Sequence, residues 1–134
     1  MALTVLIVDD SSIVRAVVKK AISMCGVEVS TLHEAGDGNA ALLVLGSHAV
    51  DIVFSDLSMP GMDGNTLIAR MAEGESTRHI PVVVISAAPN VQTHVKDGSA
   101  AGVQAYIRKP FRPEDFRSVL ESVLPQVGKV SHAS

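Results

Sequence analysis

Val50-Asp51-Ile52-Val53-Phe54-Ser55-Asp56-Leu57-Ser58-Met59-Pro60-Gly61-Met62-Asp63-Gly64 is the stretch on which the fold turns. An apolar run, Ile52-Val53-Phe54, stops at a lone carboxylate, Asp56, and a Pro/Gly-rich loop follows at once. Short apolar runs bounded by breakers suit a strand buried on both faces of a parallel sheet. In open sheets of that kind, ligands bind outside the carboxyl ends of the strands. Asp56 therefore stands on the rim where chemistry is expected. By itself, an Asp before a turn is equally well explained by turn preference. The deciding question is whether other strands end in the same way.

Upstream, Leu3 to Val8 reads as a first buried strand, stopped by Asp9-Asp10. Ser11-Ser12 can cap a helix that carries Ile13, Val14, Val17, Val18 and Ala21 on one face, with Lys19 and Lys20 near its carboxyl end. Cys25 falls at the end of this helix as a small apolar filler, and Gly26 stops it. Val27 to Glu34 is a second strand, and Asp37-Gly38 turns the chain into a helix from Asn39 to Leu45, ended by Gly46. Downstream, Gly64-Asn65 leads into a helix through Leu67, Ile68 and Met71, broken at Gly74. Pro81 opens a fourth strand, Val82 to Ile85, at the position where a strand best tolerates proline. A helix from Val91 to about Ala101, diluted by Asp97-Gly98-Ser99, precedes a fifth strand, Gln104 to Ile107. Pro113 starts the last helix, with Glu114 and Asp115 in its first turn and Phe116, Val119, Leu120, Val123 and Leu124 at helical spacing.

Strand and helix thus alternate five times without a repeat period, which predicts one doubly wound α/β domain with right-handed crossovers. The expected domain covers residues 1–126, with a flexible tail at 127–134. A chain of 134 residues, 47% hydrophobic and 19% charged, has ample material for one core. Aromatics are only 3% of it, so that core must be aliphatic. The net charge of −3, with both signs scattered, makes no basic stripe for nucleic acid. A single cysteine excludes an internal disulfide. The amino terminus lacks the positive region of a signal peptide, and no apolar run reaches spanning length. The expectation is a cytoplasmic protein without a membrane or nucleic-acid partner.

In a parallel sheet the strand ends fall along one edge: Asp9 and Asp10, Asp56, Ser86 and Lys109. Three crowded carboxylates repel unless something compensates, and a hard divalent cation does so. Mg²⁺ takes oxygen ligands and keeps several waters, so one or two carboxylates and a backbone carbonyl suffice. Lys109 and Ser86 would then supply a point charge and a hydroxyl to two phosphoryl oxygens, the electrostatic parts of phosphoryl transfer. The nucleophile is the carboxylate that metal and lysine both face, and the central strand makes Asp56 the candidate.

Four segments at consistent spacing, Leu6-Ile7-Val8-Asp9-Asp10-Ser11, Asp56 to Gly64, Val84-Ile85-Ser86-Ala87, and Ala101-Gly102 onward through Tyr106-Ile107-Arg108-Lys109-Pro110-Phe111, resemble the response-regulator receiver family, and its CheY-like members in particular. The resemblance covers Leu3 to about Leu124 and implies a flavodoxin-like five-stranded sheet of order 2-1-3-4-5. It implies that Asp56 accepts a phosphoryl group from the phosphohistidine of a histidine kinase or histidine phosphotransfer protein. It assigns Mg²⁺ to Asp10, Asp56 and the backbone carbonyl of Ser58, with Asp9 helping through water, and phosphoryl contact to Lys109. Ser86 and Tyr106 match the family's switch pair, Ala87 its small neighbour, and Lys109-Pro110 its cis bond. The family's usual partner surface corresponds to Val91–Leu124, where a downstream effector protein would bind. Such a protein is a signalling phosphoacceptor rather than an enzyme.

Duller roles exist for each residue. Ser86 could satisfy a strand-end backbone group, Tyr106 could be a plain amphipathic strand residue, and Lys109 a surface lysine. The five histidines form no helical i, i+4 pair and no Cys/His cluster, so no zinc site is indicated. Met59 and Met62 read as loop packing. A haloacid-dehalogenase-like phosphatase would place a second Asp two residues after the first-strand nucleophile, whereas Asp9 and Asp10 are adjacent. A flavodoxin-like FMN binder would want a hydroxyl- and Gly-rich loop where the acidic pair stands. A phosphorylation-independent receiver relative would typically have lost the acidic pair, acceptor or lysine, and all are present. Phosphorelay intermediate, phosphate sink and chemotaxis regulator remain the open outputs.

Overall fold

The computed structural model describes residues 2–56, 64–86 and 103–127. Five strands, β1 (Leu3–Val8), β2 (Val29–Ala35), β3 (Ile52–Asp56), β4 (Val82–Ser86) and β5 (Val103–Arg108), form one sheet in the order β2-β1-β3-β4-β5. Every neighbouring pair is parallel. Helices α1 (Ser12–Ser23), α2 (Gly38–Ser47), α3 (Gly64–Glu73) and α4 (Pro113–Val127) connect or follow them. The helix expected at Val91–Ala101 lies outside the described residues, as do Ala87, the 57–63 loop with Ser58, Met59 and Met62, and residues 128–134.

The period-two alternation of strand side chains sorts the core into two layers. Leu6, Val8, Val53, Val82 and Val84 pack with α2 and α3. Leu3, Val5, Ile7, Ile52, Phe54, Val83, Ile85 and Ile107 pack with α1 and α4. All five residues of β3 and all five of β4 are buried, whereas the edge strand β2 buries fully only Ala35. That contrast explains why β3 and β4 read as continuous apolar runs and β2 as a loose alternation. The chain's three phenylalanines gather on the α1/α4 side. Phe54 lies 5.7 Å from Phe116, which meets Phe111 edge-on at 4.9 Å between ring centres, a preferred aromatic geometry.

Local chemistry sets the element ends. Ser11 caps α1, its hydroxyl accepting the Val14 N–H at 3.2 Å, and Asp37 caps α2 through the Ala40 N–H at 2.8 Å. Gly26 takes φ +76° after α1, a left-handed turn that an L side chain resists. At Gly74 a Cβ would stand 2.4 Å from the Thr77 hydroxyl, which donates to the Met71 carbonyl at the end of α3. α2 runs through Gly46 to Ser47, so that glycine is a helical residue and not the stop. α4 continues through Val127, where the tail was expected to begin.

One expectation fails on α1. Ile13 and Val17 do not share the buried face with Val18 and Ala21: they are 75% and 50% exposed. The core stripe is Val14, Val18, Ala21 and Ile22, and Ile13, Val17 and Met24 form a second stripe beside it. At 100° per residue, positions 13 and 17 lie a quarter-turn from 14 and 18, and the sheet covers only one of the two arcs. The helix is therefore more apolar than its packing requires.

Candidate functional site

The same alternation that fills the core also aims the strand-end side chains. Asp9 continues the register of Val5 and Ile7, Asp56 that of Ile52 and Phe54, and Lys109 that of Ala105 and Ile107. All three share the parity of the α1/α4 side and meet at the carboxyl edge. Asp10 follows Asp9 as the β1–α1 connection begins. Carboxylate oxygens of Asp9, Asp10 and Asp56 all lie within 4.8 Å of one another. The Lys109 ammonium stands 3.4 Å from Asp9 Oδ2 and 3.6 Å from Asp56 Oδ2. Asp9 and Asp56 are buried, at 4% and 6% exposure, while Asp10 faces solvent.

Burying carboxylates is unfavourable without partners, and these have them. The Ser11 N–H donates to Asp9 Oδ1 at 2.9 Å. The Asp9 N–H donates to the Ala35 carbonyl at 3.0 Å, extending the β1–β2 ladder by one rung. Three carboxylates against one ammonium leave two negative charges (3 − 1 = 2), which one divalent cation would balance. The donors are all hard oxygens, each within 4.8 Å of the others, close enough to share one divalent cation. The donor set fits a magnesium-like ion better than a softer metal.

Ser86 ends β4 at 2% exposure, and its carbonyl accepts the Lys109 N–H at 3.0 Å. Its parity is that of Val84, so it belongs to the α2/α3 side. Tyr106 on β5 stands in register with Val84 and is half-buried against that same layer. The sheet thus brings Ser86 and Tyr106 onto one face, on neighbouring strands and two register positions apart. The Lys109–Pro110 peptide is cis, as the resemblance implied. Ser58 lies outside the described residues.

Sequence reasoning passed over Arg15. Its guanidinium Nη1 donates to the Asp9 carbonyl at 2.5 Å and its Nε to Glu34 Oε1 at 3.0 Å. No local pattern announces this link, because Glu34 is 19 positions away, on β2, while Arg15 is on α1. Also unannounced is a groove of about 560 Å³ beside the acidic edge, lined by Ile13, Val17, Lys20, Met24, Phe111 and Pro113 among others. Just after α1, Cys25 donates to the Ala21 carbonyl, and burial pushes its thiol up from the ordinary value, with Arg117 partly opposing. His33 and His48, unrelated by sequence spacing, stack with ring centres 4.3 Å apart. The acidic triad is the one group of three or more metal-ligating side chains among the described residues. No described helix is long and apolar enough to cross a membrane.

Comparison with known proteins agrees with this geometry. Residues 5–121 match the model of the response regulator receiver domain. The chemotaxis protein CheY of Pseudomonas aeruginosa is 32% identical over 123 residues, covering 92% of this chain and 97% of that protein. CheY-3 of Vibrio cholerae is 33% identical over 123 residues, covering 92% of each. Among solved structures, Vibrio cholerae chemotaxis protein CheY4 superposes with a TM-score of 0.76 at 27% identity, covering 90% of this chain and 98% of that one. A five-stranded parallel sheet of order 2-1-3-4-5, an acidic triad beside a lysine at its carboxyl edge, and a family match over most of the sequence lead to one assignment: the chain belongs to the response regulator receiver family, among its CheY-like members.

Proposed function

We propose that this chain is the phosphoacceptor of a two-component pathway, and that Asp56 takes its phosphoryl group from a phosphohistidine on a histidine kinase or histidine phosphotransfer protein. The observation that carries this reading is the convergence of Asp9, Asp10 and Asp56 with Lys109 bridging Asp9 and Asp56. Asp9, Asp10, Asp56 and the backbone carbonyl of Ser58 would hold Mg²⁺, which when bound supplies charge neutralisation for the transferred phosphoryl oxygens. A carboxylate oxygen of Asp56 forms the new O–P bond as the N–P bond breaks, and the imidazole leaves with that electron pair and gains a proton from solvent. Lys109, already within 3.6 Å of Asp56, contacts a phosphoryl oxygen and stabilises the charge that builds there. Later hydrolysis returns the carboxylate, so the transfer is self-directed signalling chemistry and not turnover of a free substrate.

Output passes through Ser86 and Tyr106. A phosphoryl oxygen offers the Ser86 hydroxyl a charge-assisted hydrogen bond, and the ring on the same face of the sheet follows into the space released. The surface affected spans residues 91–124, of which β5 and α4 are described, and a downstream protein binds there. The two relatives named as chemotaxis proteins favour a chemotaxis role over service as a phosphate sink, and we place the protein in the cytoplasm. On the input side, the α1 groove opens beside the acceptor on the α1/α4 face. A protein donor reaching Asp56 over this edge gains apolar contact from Ile13, Val17 and Phe111.

Incubation with Mg²⁺ and acetyl phosphate should add one hydroxylamine-sensitive phosphoryl group, and Asp56→Asn should abolish it. Label that persists on the variant, or that maps to Ser58, overturns the assignment.

A further inference from the structure

The acidic pair is held asymmetrically. Every polar group of Asp9 is engaged: its N–H by the Ala35 carbonyl, Oδ1 by the Ser11 N–H, Oδ2 by Lys109, and its carbonyl by the Arg15 guanidinium. Asp10, by contrast, is exposed, and its carboxylate has no hydrogen-bond partner or ion pair among the described residues. What aims Asp10 is therefore its backbone. The Asp9 carbonyl, the Asp10 nitrogen and the Asp10 Cα lie in one rigid peptide plane. Whatever fixes that carbonyl also fixes the point from which the Asp10 side chain leaves the chain.

We infer that Arg15 is a positioning residue of the metal site, acting through the Asp9–Asp10 peptide plane, with Glu34 holding Arg15 in place. This rests on the reading that the acidic triad takes Mg²⁺. Arg15 lies one turn into α1, its own N–H bonded to the Ser11 carbonyl at 3.0 Å, so its stem is anchored by the capped helix. Its Nε reaches Glu34 on the edge strand β2 at 3.0 Å while Nη1 reaches the Asp9 carbonyl. The side chain is 18% exposed, against 39% for Glu34. Two acceptors in different directions require the planar fork of a guanidinium, and an ammonium at the end of a flexible stem satisfies only one at a time. A third segment adjoins the fork: a Cβ at Gly36 would stand 3.7 Å from Nη1, in ordinary contact. Arg15 therefore ties the end of β1, the end of β2 and the start of α1 into one support for the carboxylates.

The sign of the effect separates positioning from bulk electrostatics. Arg15 is a cation close to a cation site, so a residue acting through charge alone would weaken Mg²⁺ binding, and its removal would tighten it. A positioning residue predicts the reverse. Outer-shell partners of metal ligands alter affinity by about ten- to a hundredfold when removed.

The test is calorimetric titration of the full chain with MgCl₂. Wild type should bind. Arg15→Met should raise the dissociation constant about tenfold, Arg15→Lys should fall between the two, and Glu34→Gln should weaken binding by a smaller factor. The double variant Arg15→Met/Glu34→Gln should be no weaker than Arg15→Met alone, since Glu34 acts through Arg15. Circular dichroism checks that each variant is folded; if Arg15→Met is not, Arg15→Lys and Glu34→Gln carry the comparison. Equal or tighter Mg²⁺ binding in folded Arg15 variants, with wild type binding normally, overturns the role of Arg15 and leaves the metal site standing. Failure of wild type to bind Mg²⁺ overturns the metal site, and the role of Arg15 with it.

Discussion

The middle of β3 and its last residue are two positions apart and are built on opposite terms. Phe54 is fully buried, packs against Phe116 and Val83, and has no polar group to satisfy. Asp56 is nearly as buried, yet carries a charge among two other carboxylates and relies on Lys109. The body of the sheet gains free energy from every contact it makes, whereas its carboxyl edge collects groups that repel one another. The difference teaches that stability and chemistry are separated along the strand axis, so substitutions a few ångströms apart should report different quantities.

Breaking the body should give the largest effect. Phe54→Ala removes a fully buried ring packed against Phe116 and should lower stability by about 3–5 kcal/mol, measured by urea unfolding. The fraction that stays folded should still be phosphorylated by acetyl phosphate. Selective loss of phosphorylation at unchanged stability would merge the two regions.

The edge should respond in the opposite sense. Mg²⁺ at a hundredfold excess over its dissociation constant should stabilise the wild type by about 2.7 kcal/mol by mass action. Asp10→Asn should remove that gain and leave the metal-free protein as stable as wild type or more so, because one like charge is gone. Thermal melts of both proteins with and without Mg²⁺ decide it, and a wild-type melting temperature indifferent to Mg²⁺ contradicts the picture.

Between body and edge lies the pair proposed above as the switch, Ser86 and Tyr106. Ser86→Ala and Tyr106→Ala should each permit phosphorylation of Asp56 while weakening its link to effector binding. Their coupling on effector affinity should be about 1 kcal/mol, within the range for residues that act as one unit. A double-mutant cycle on the beryllofluoride-loaded protein measures it, and strict additivity would separate them.

Smaller effects sharpen the boundary on α1. Ile13→Ser and Val17→Ser should change stability by no more than about 0.5 kcal/mol, as exposed sites do, but should slow phosphotransfer from a protein donor and not from acetyl phosphate. The smallest effect belongs to Cys25. Its thiol is raised by burial, so it should be protonated at neutral pH and alkylate more slowly than a free cysteine in iodoacetamide kinetics. Because the folded state holds that proton more tightly, its contribution to stability is complete at neutral pH. It declines only as pH rises past the thiol's ordinary, unfolded value.

How much of this the sequence discloses follows the same division. β3 and β4 are legible because burial on both faces leaves uninterrupted apolar runs between breakers. Asp9, Asp10, Asp56 and Lys109 are legible because each interrupts such a run at its carboxyl end, and a parallel sheet leaves those ends no other place to go. Arg15 is not legible, since its partners Asp9 and Glu34 meet only when β1 and β2 pair. The exposure of Ile13 and Val17 is hidden for a related reason: periodicity shows that a helix is apolar on an arc, and the sheet decides how wide an arc it covers. The run of α2 through Gly46 shows a propensity overridden by packing, with Leu45 buried on one side of the glycine and the His48 N–H bonded back to Val44 on the other.

Tyr106, half-buried on β5 against the α2/α3 layer, has a spectroscopic consequence. The chain contains one tyrosine, three phenylalanines and no tryptophan, so on excitation beyond the phenylalanine absorption band its intrinsic emission comes from this ring. Tyrosine emission is quenched or released by changes in hydration and hydrogen bonding around the phenol. The residue proposed as the switch is thus also the protein's built-in fluorophore. Its intensity and anisotropy in the unlabelled wild type would follow the ring directly as beryllofluoride is added.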